Sequence, residues 1–173
     1  MLTMMMGAAA ALGLQVADKD WLDDGSWLVS SFEQAKFCSA ITGYDSGSSF
    51  YISWSDTTRV GYLTIVLPKY KAIEEDKKYQ INLAFLKGSK LDDGWGDITM
   101  TGKIYSDGDR GLSALITDKV ILDDIAEAQI AGFRYKDEII ASLSLEGSMI
   151  AMKSLKDCAK DMEKRYPRDP FAE

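Results

Sequence analysis

The chain has 173 residues, 46% of them hydrophobic and 27% charged, which fits one domain with a core of its own and excludes disorder along its whole length. The formal net charge is −7. Phosphate binding needs a surplus of Lys and Arg, so neither nucleic acid nor an anionic membrane surface is expected as a partner. There is no histidine, which removes Ser–His–Asp and Cys–His nucleophiles, imidazole acid–base work and His-ligated zinc or iron.

Met4 to Leu14 is apolar and uncharged. It has the length of the hydrophobic region of a secretory signal and is too short to span a bilayer. Residues 1–17 are therefore expected to be a signal peptide, with Ala17–Asp18 as the cut; an N-terminal helix packed on the domain is the alternative. No integral membrane span is expected. Asp18 to Gly25 reads as a polar stretch around Trp21, and Trp27 to Phe32 as a short strand. Thr42 to Ser49 is a Gly/Ser/Asp loop. Phe50, Ile52 and Trp54 alternate with Tyr51, Ser53 and Ser55 in a second strand. Val60 to Leu67 is apolar on both faces, fits a central strand and is stopped by Pro68.

Tyr79 to Phe85 alternates in the same way. Gly88 to Gly96 reads as a turn-rich loop carrying Trp95. Ile98, Met100 and Ile104 mark another strand, and Asp107-Gly108 signals a hairpin to Leu112–Ile116. Thr117 and Asp118 can cap a short helix over Lys119–Ala128, and Ile130 to Tyr135 is a strand followed by a tight turn at Lys136-Asp137. In the last strand Ile139, Ala141, Leu143 and Leu145 share one face. Ser148 can cap the final helix, whose Ala151, Leu155, Cys158, Met162 and Tyr166 lie on one side. Pro167 ends it.

About eight strands and two helices, without strand–helix alternation, predict a mainly β (α+β) fold. It would be an antiparallel sandwich or curved sheet spanning residues 18–166, with the C-terminal helix packed on it and a tail over 167–173. Cys38 and Cys158 are the two cysteines, so one intrachain bridge is possible. The alternative is a pair of buried thiols, since free cysteine packs as a small hydrophobe.

No cofactor and no metal site is expected. The acidic pairs Asp23-Asp24, Asp92-Asp93 and Asp123-Asp124 are candidates for acid–base work, but they fall in turns or on a helix surface, where aspartate is favoured for local bonding. Asp107-Gly108-Asp109 lacks the downstream Glu of a calcium loop. Gly88, Gly94 and Gly96 do not lead from a strand into a helix as a phosphate loop would. Among the aromatics, Tyr44 and Trp95 are the binding candidates, because aromatics at loop tips are hard to explain by packing.

The pattern L-x-L-x-G-S-x-x-A-x-x-x-L-x-x-C from Leu143 to Cys158 resembles one found in small exported proteins of alphaproteobacteria, some of them loosely similar to the invasion-associated locus B family. The likeness covers the last third of the chain, with Trp27 and Cys38 comparable upstream. It implies a secreted β-rich fold, export and a Cys38–Cys158 bridge, and it implies no catalytic residues. The expected function is an exported, periplasmic or secreted, non-enzymatic domain that binds a protein or an envelope component. The alternatives are an inhibitor of a secreted hydrolase acting through Ser89–Asp97, and a carboxylate-dependent hydrolase.

Overall fold

The computed structural model describes residues 17–168. The leader expected over residues 1–17 and the tail expected over 167–173 lie outside that range, save for Ala17, Pro167 and Arg168. The strands are β1 (Lys19–Asp23), β2 (Leu28–Phe32), β3 (Phe37–Gly43), β4 (Ser49–Ser55), β5 (Val60–Val66), β6 (Lys78–Lys87), β7 (Lys90–Ile104), β8 (Arg110–Ile116), β9 (Ile130–Tyr135) and β10 (Glu138–Ser144). The helices are α1 (Val120–Glu127) and α2 (Ser148–Arg165). All ten strands form one antiparallel sheet in the order β1-β2-β3-β4-β5-β8-β7-β6-β9-β10. Of the two architectures the sequence admits, this is the curved sheet.

The curvature can be measured. Phe50 on β4 and Phe133 on β9 have ring centroids 6.4 Å apart. Five strand-to-strand steps separate them in the sheet order, a path of about 24 Å at the usual spacing. The sheet is therefore rolled until its two halves touch through the core. The Trp27 indole N–H donates to the Glu146 carbonyl at 2.8 Å, which ties the β1–β2 end to the entrance of α2. The edge strands β1 and β10 do not pair with each other, so the roll stays open.

Helix α2 covers the inner face of β1 to β4 and packs on α1. Ala151, Met152, Leu155, Cys158, Ala159 and Met162 are all buried on that side, as the 3.6-residue period requires. The Cys38 and Cys158 sulfurs lie 1.92 Å apart, a disulfide, with their Cα atoms at 6.1 Å. It joins β3 to α2 at the centre of this contact, and both cysteines are fully buried. Among the described residues no helix is long and apolar enough to cross a membrane.

Four local expectations are corrected. Asp18 to Gly25 contains an edge strand, β1, whose charges and bulge between Asp20 and Leu22 are the devices that discourage edge-to-edge pairing. Gly88–Gly96 is not a loop: the chain turns between Lys87 and Lys90 and β7 starts at once, because pairing with β6 outweighs the local glycine and aspartate content. A bulge between Ile139 and Ala141 turns Ile139 out to 66% exposure, off the face it shares by period with Ala141 and Leu143. Ser148 does not cap α2. Gly147 holds the cap position at φ +81°, and the buried Ser148 hydroxyl donates instead to the Ile125 carbonyl of α1 at 2.8 Å.

Candidate functional site

The outer face of the central strands carries the most distinctive surface. On β4, Phe50, Ile52 and Trp54 point inward and are buried in the core, so Tyr51 and Ser53 point outward. The register then assembles two rows across the sheet. Ser39, Ser53, Tyr62 and Leu115 face one another in the first, and Ile41, Tyr51, Thr64, Ser113 and Thr101 in the second. Tyr105, just past β7, lies over Gly111 of β8. A Cβ on Gly111 would stand 3.0 Å from the Tyr105 ring and 2.4 Å from the Ile65 carbonyl oxygen, so this approach requires glycine.

The result is a groove of about 380 Å³ walled by Tyr51, Tyr62 and Tyr105 and floored by the hydroxyls of Ser39, Ser53, Thr64 and Ser113. Glu75 and Lys103 close one side. Thr64 and Ser113 hydroxyls bond each other at 2.8 Å, and the Tyr62 backbone N–H donates to Ser53 Oγ at 3.1 Å. Burial pushes the Tyr105 phenol up to about 12, with Glu75 and Asp107 adding to it. Burial and then the neighbouring Tyr105 raise the Tyr51 phenol further. Both therefore stay neutral at physiological pH and can donate as well as accept. Tyr62 is 51% exposed and offers a ring face. Hydroxyl donors and acceptors beside an aromatic face suit recognition of a polar, hydroxyl-rich molecule; Glu75 is the carboxylate among the lining residues, and paired-carboxylate chemistry needs two.

Neither aromatic singled out from the sequence stands free at a loop tip. The Tyr44 hydroxyl donates to the Ser144 carbonyl at 2.7 Å and so fastens the β3–β4 turn to the end of β10. Trp95 lies on β7, half-buried, and its indole N–H donates to Asp124 Oδ2 at 2.7 Å. Lys87 Nζ meets the other oxygen of Asp124 at 2.7 Å, so this carboxylate holds α1 to the β6–β7 hairpin. Asp123 pairs with Lys156 of α2. Asp24 accepts the backbone N–H groups of Ser26 and Trp27 at 2.9 and 2.8 Å. The side chains of Asp92 and Asp93 lie outside the described set.

A more polar cleft beside Trp54, Arg59, Lys160 and Glu163 also contains Asp56. That carboxylate is engaged by Lys119 at 2.6 Å and by the Trp54 indole N–H at 2.7 Å, which makes it a structural anchor. Among the described residues no three Cys, Asp or Glu side chains converge as metal ligands would. Tyr51 and Tyr105 were missed as site residues; the signal for the first was the Tyr–Ser alternation on the face of β4 opposite its core residues. No protein family matches the sequence, and no curated protein or solved structure does either.

Proposed function

We propose that this protein is an exported, non-enzymatic binding domain of a bacterial envelope, and that the groove between Tyr51, Tyr62 and Tyr105 recognises a hydroxyl-rich envelope component. The observation that carries the reading is the outer face itself. The outward face of an antiparallel sheet is commonly polar; here it gathers three phenols around a floor of serine and threonine hydroxyls in one groove. Export is supported by the apolar Met4–Leu14 stretch and by the bonded cysteine pair, since disulfides persist in oxidising compartments.

The test is co-sedimentation of the purified protein with isolated cell-wall glycan. Wild type is expected in the pellet, and Tyr62→Ala is expected to weaken retention about tenfold, the effect of removing one aromatic anchor. Wild type left wholly in the supernatant, or retention indifferent to Tyr62, overturns the reading. Fractionation of cells expressing the full chain checks export separately.

A further inference from the structure

The ladder between β7 and β8 stops early. Along one edge β8 pairs with β5 over Gly111–Ile116. Along the other it pairs with β7 only through Ser113, opposite Thr101. Continuing that register would set Thr99 opposite Leu115 and Asp97 opposite Thr117, and neither pair forms. The strands part instead around a cleft of about 410 Å³, lined by Trp95, Ile98 and Thr99 on one side and by Leu115, Ile116 and Asp118 on the other. Consecutive residues line both walls, so the cleft opens between the strands and is not confined to one face.

Parity shows which backbone groups point into it. In an antiparallel strand the N–H and C=O of one residue point to the same side, and the side alternates along the chain. The Leu67 N–H donates to the Arg110 carbonyl on the β8 side, whereas the Tyr62 N–H is turned toward Ser53 on β4. Odd residues of β5 therefore bond β8. Tyr62 and its register partner Leu115 are a non-bonded pair, and the N–H and C=O of Leu115 point toward β7. On β7 the Gly102 N–H donates to the Lys77 carbonyl, on the β6 side, so Thr101, Thr99 and Asp97 present theirs to β8. Leu115 and Thr99 thus offer backbone donors and acceptors to the gap with no ladder partner among the described residues.

We propose that this cleft accepts an extended segment of a partner protein by strand addition, and that the segment alternates apolar with basic residues. Main-chain bonds to Leu115 and Thr99 hold such a segment, and side-chain alternation selects it. Its inward side chains meet Ile98 and Ile116. Its outward ones meet Leu115, which is 58% exposed, and the exposed carboxylates of Asp97 and Asp118. Asp118 is the charged residue among those lining the cleft, and Lys119 beside it is paired with Asp56 at 2.6 Å. The inference goes beyond the groove reading and does not depend on it: surface, ligand class and readout all differ.

The probe is a capped heptapeptide, Lys-Val-Lys-Val-Lys-Val-Lys, titrated into the full protein. Affinity is followed calorimetrically and amide hydrogen exchange is read at Leu115 and Thr99. Binding is expected with both amides slowed about tenfold or more. The same residues in block order, and a Glu–Val alternation, are expected to bind at least about tenfold more weakly. Thr99→Pro removes a donor from a position that makes no ladder bond and should weaken binding about tenfold. Asp118→Lys gives up the carboxylate's bond from the Val120 N–H at the start of α1 but leaves the sheet backbone unchanged, so it keeps the test open should the proline variant misfold; it should lower affinity for the Lys peptide and raise it for the Glu peptide. No binding at about 1 mM peptide, equal binding of the block peptide, or binding without protection at Leu115 and Thr99 each overturns the proposal. Concentration-dependent protection of those amides in the protein alone would assign the cleft to a second copy and overturn it too.

Discussion

Removing the Cys38–Cys158 bridge tests the account of how α2 is held. The bridge closes a loop with a sequence separation of 120 residues. On the chain-entropy model a loop of that length restricts the unfolded state by about 5 kcal/mol at room temperature, and loss of a native disulfide usually costs about 2–5 kcal/mol. Both cysteines are fully buried, so alanine is the better replacement; serine would add an unpaired hydroxyl to an apolar site. The apolar face of α2 remains to hold the helix in place. The double variant Cys38→Ala/Cys158→Ala is therefore expected to fold and to lose about 3–5 kcal/mol. That is a drop of about 2 M in the urea midpoint and of roughly 6–20 °C in Tm. Far-UV circular dichroism through a urea titration reads the first. Wild type unfolded in the presence of a strong reductant should match the variant, which separates the bond from the substitutions. A midpoint within about 0.5 M of wild type, or two titratable thiols per chain in denaturant without reductant, would refute the reasoning.

Three further outcomes follow from single contacts. Gly147 sits at φ +81°, and a Cβ there would lie 3.1 Å from Trp27 Cδ1; Gly147→Ala should cost about 1–3 kcal/mol, and an unchanged urea midpoint would contradict this. Tyr44→Phe removes the donor to the Ser144 carbonyl and should cost about 1 kcal/mol in the same assay. The Arg165 and Tyr166 hydrogen bonds, in that order, hold the partly exposed Glu33 carboxyl below its ordinary value. A depressed folded pKa adds stability above the unfolded value of about 4.3, and that stability is lost as pH falls through the folded value. The Tm gap between wild type and Glu33→Gln should then be open at neutral pH, close on acidification below pH 4 and narrow in high salt; a gap constant with pH would refute it.

The residue order alone determined the kind of fold. Alternation on β4, β6 and β10, the Asp107-Gly108 hairpin and the apolar stripe of α2 are local signals, read within a few residues, and each has its element in the structure. The Cys38–Cys158 bridge was one of two readings the sequence left open, the other being a pair of buried thiols, and the fold decides for the bridge. Local signals failed where pairing with another strand decided. Lys90–Ile104 is one long strand because β6 offers it an edge to pair with, whatever its glycines favour. Ile139 faces solvent because of a bulge that no period reveals. The candidate sites belong wholly to this second class. The Tyr51, Tyr62 and Tyr105 groove exists only once the register sets β4, β5 and β8 side by side and Gly111 lets the Tyr105 ring come close to the backbone. The unpaired amides of Leu115 and Thr99 exist only because two strands that pair over four residues then part. Backbone pairing across the sheet joins segments some 50 residues apart, and its stopping point is set by how the whole sheet rolls around its helices, which no window of sequence contains.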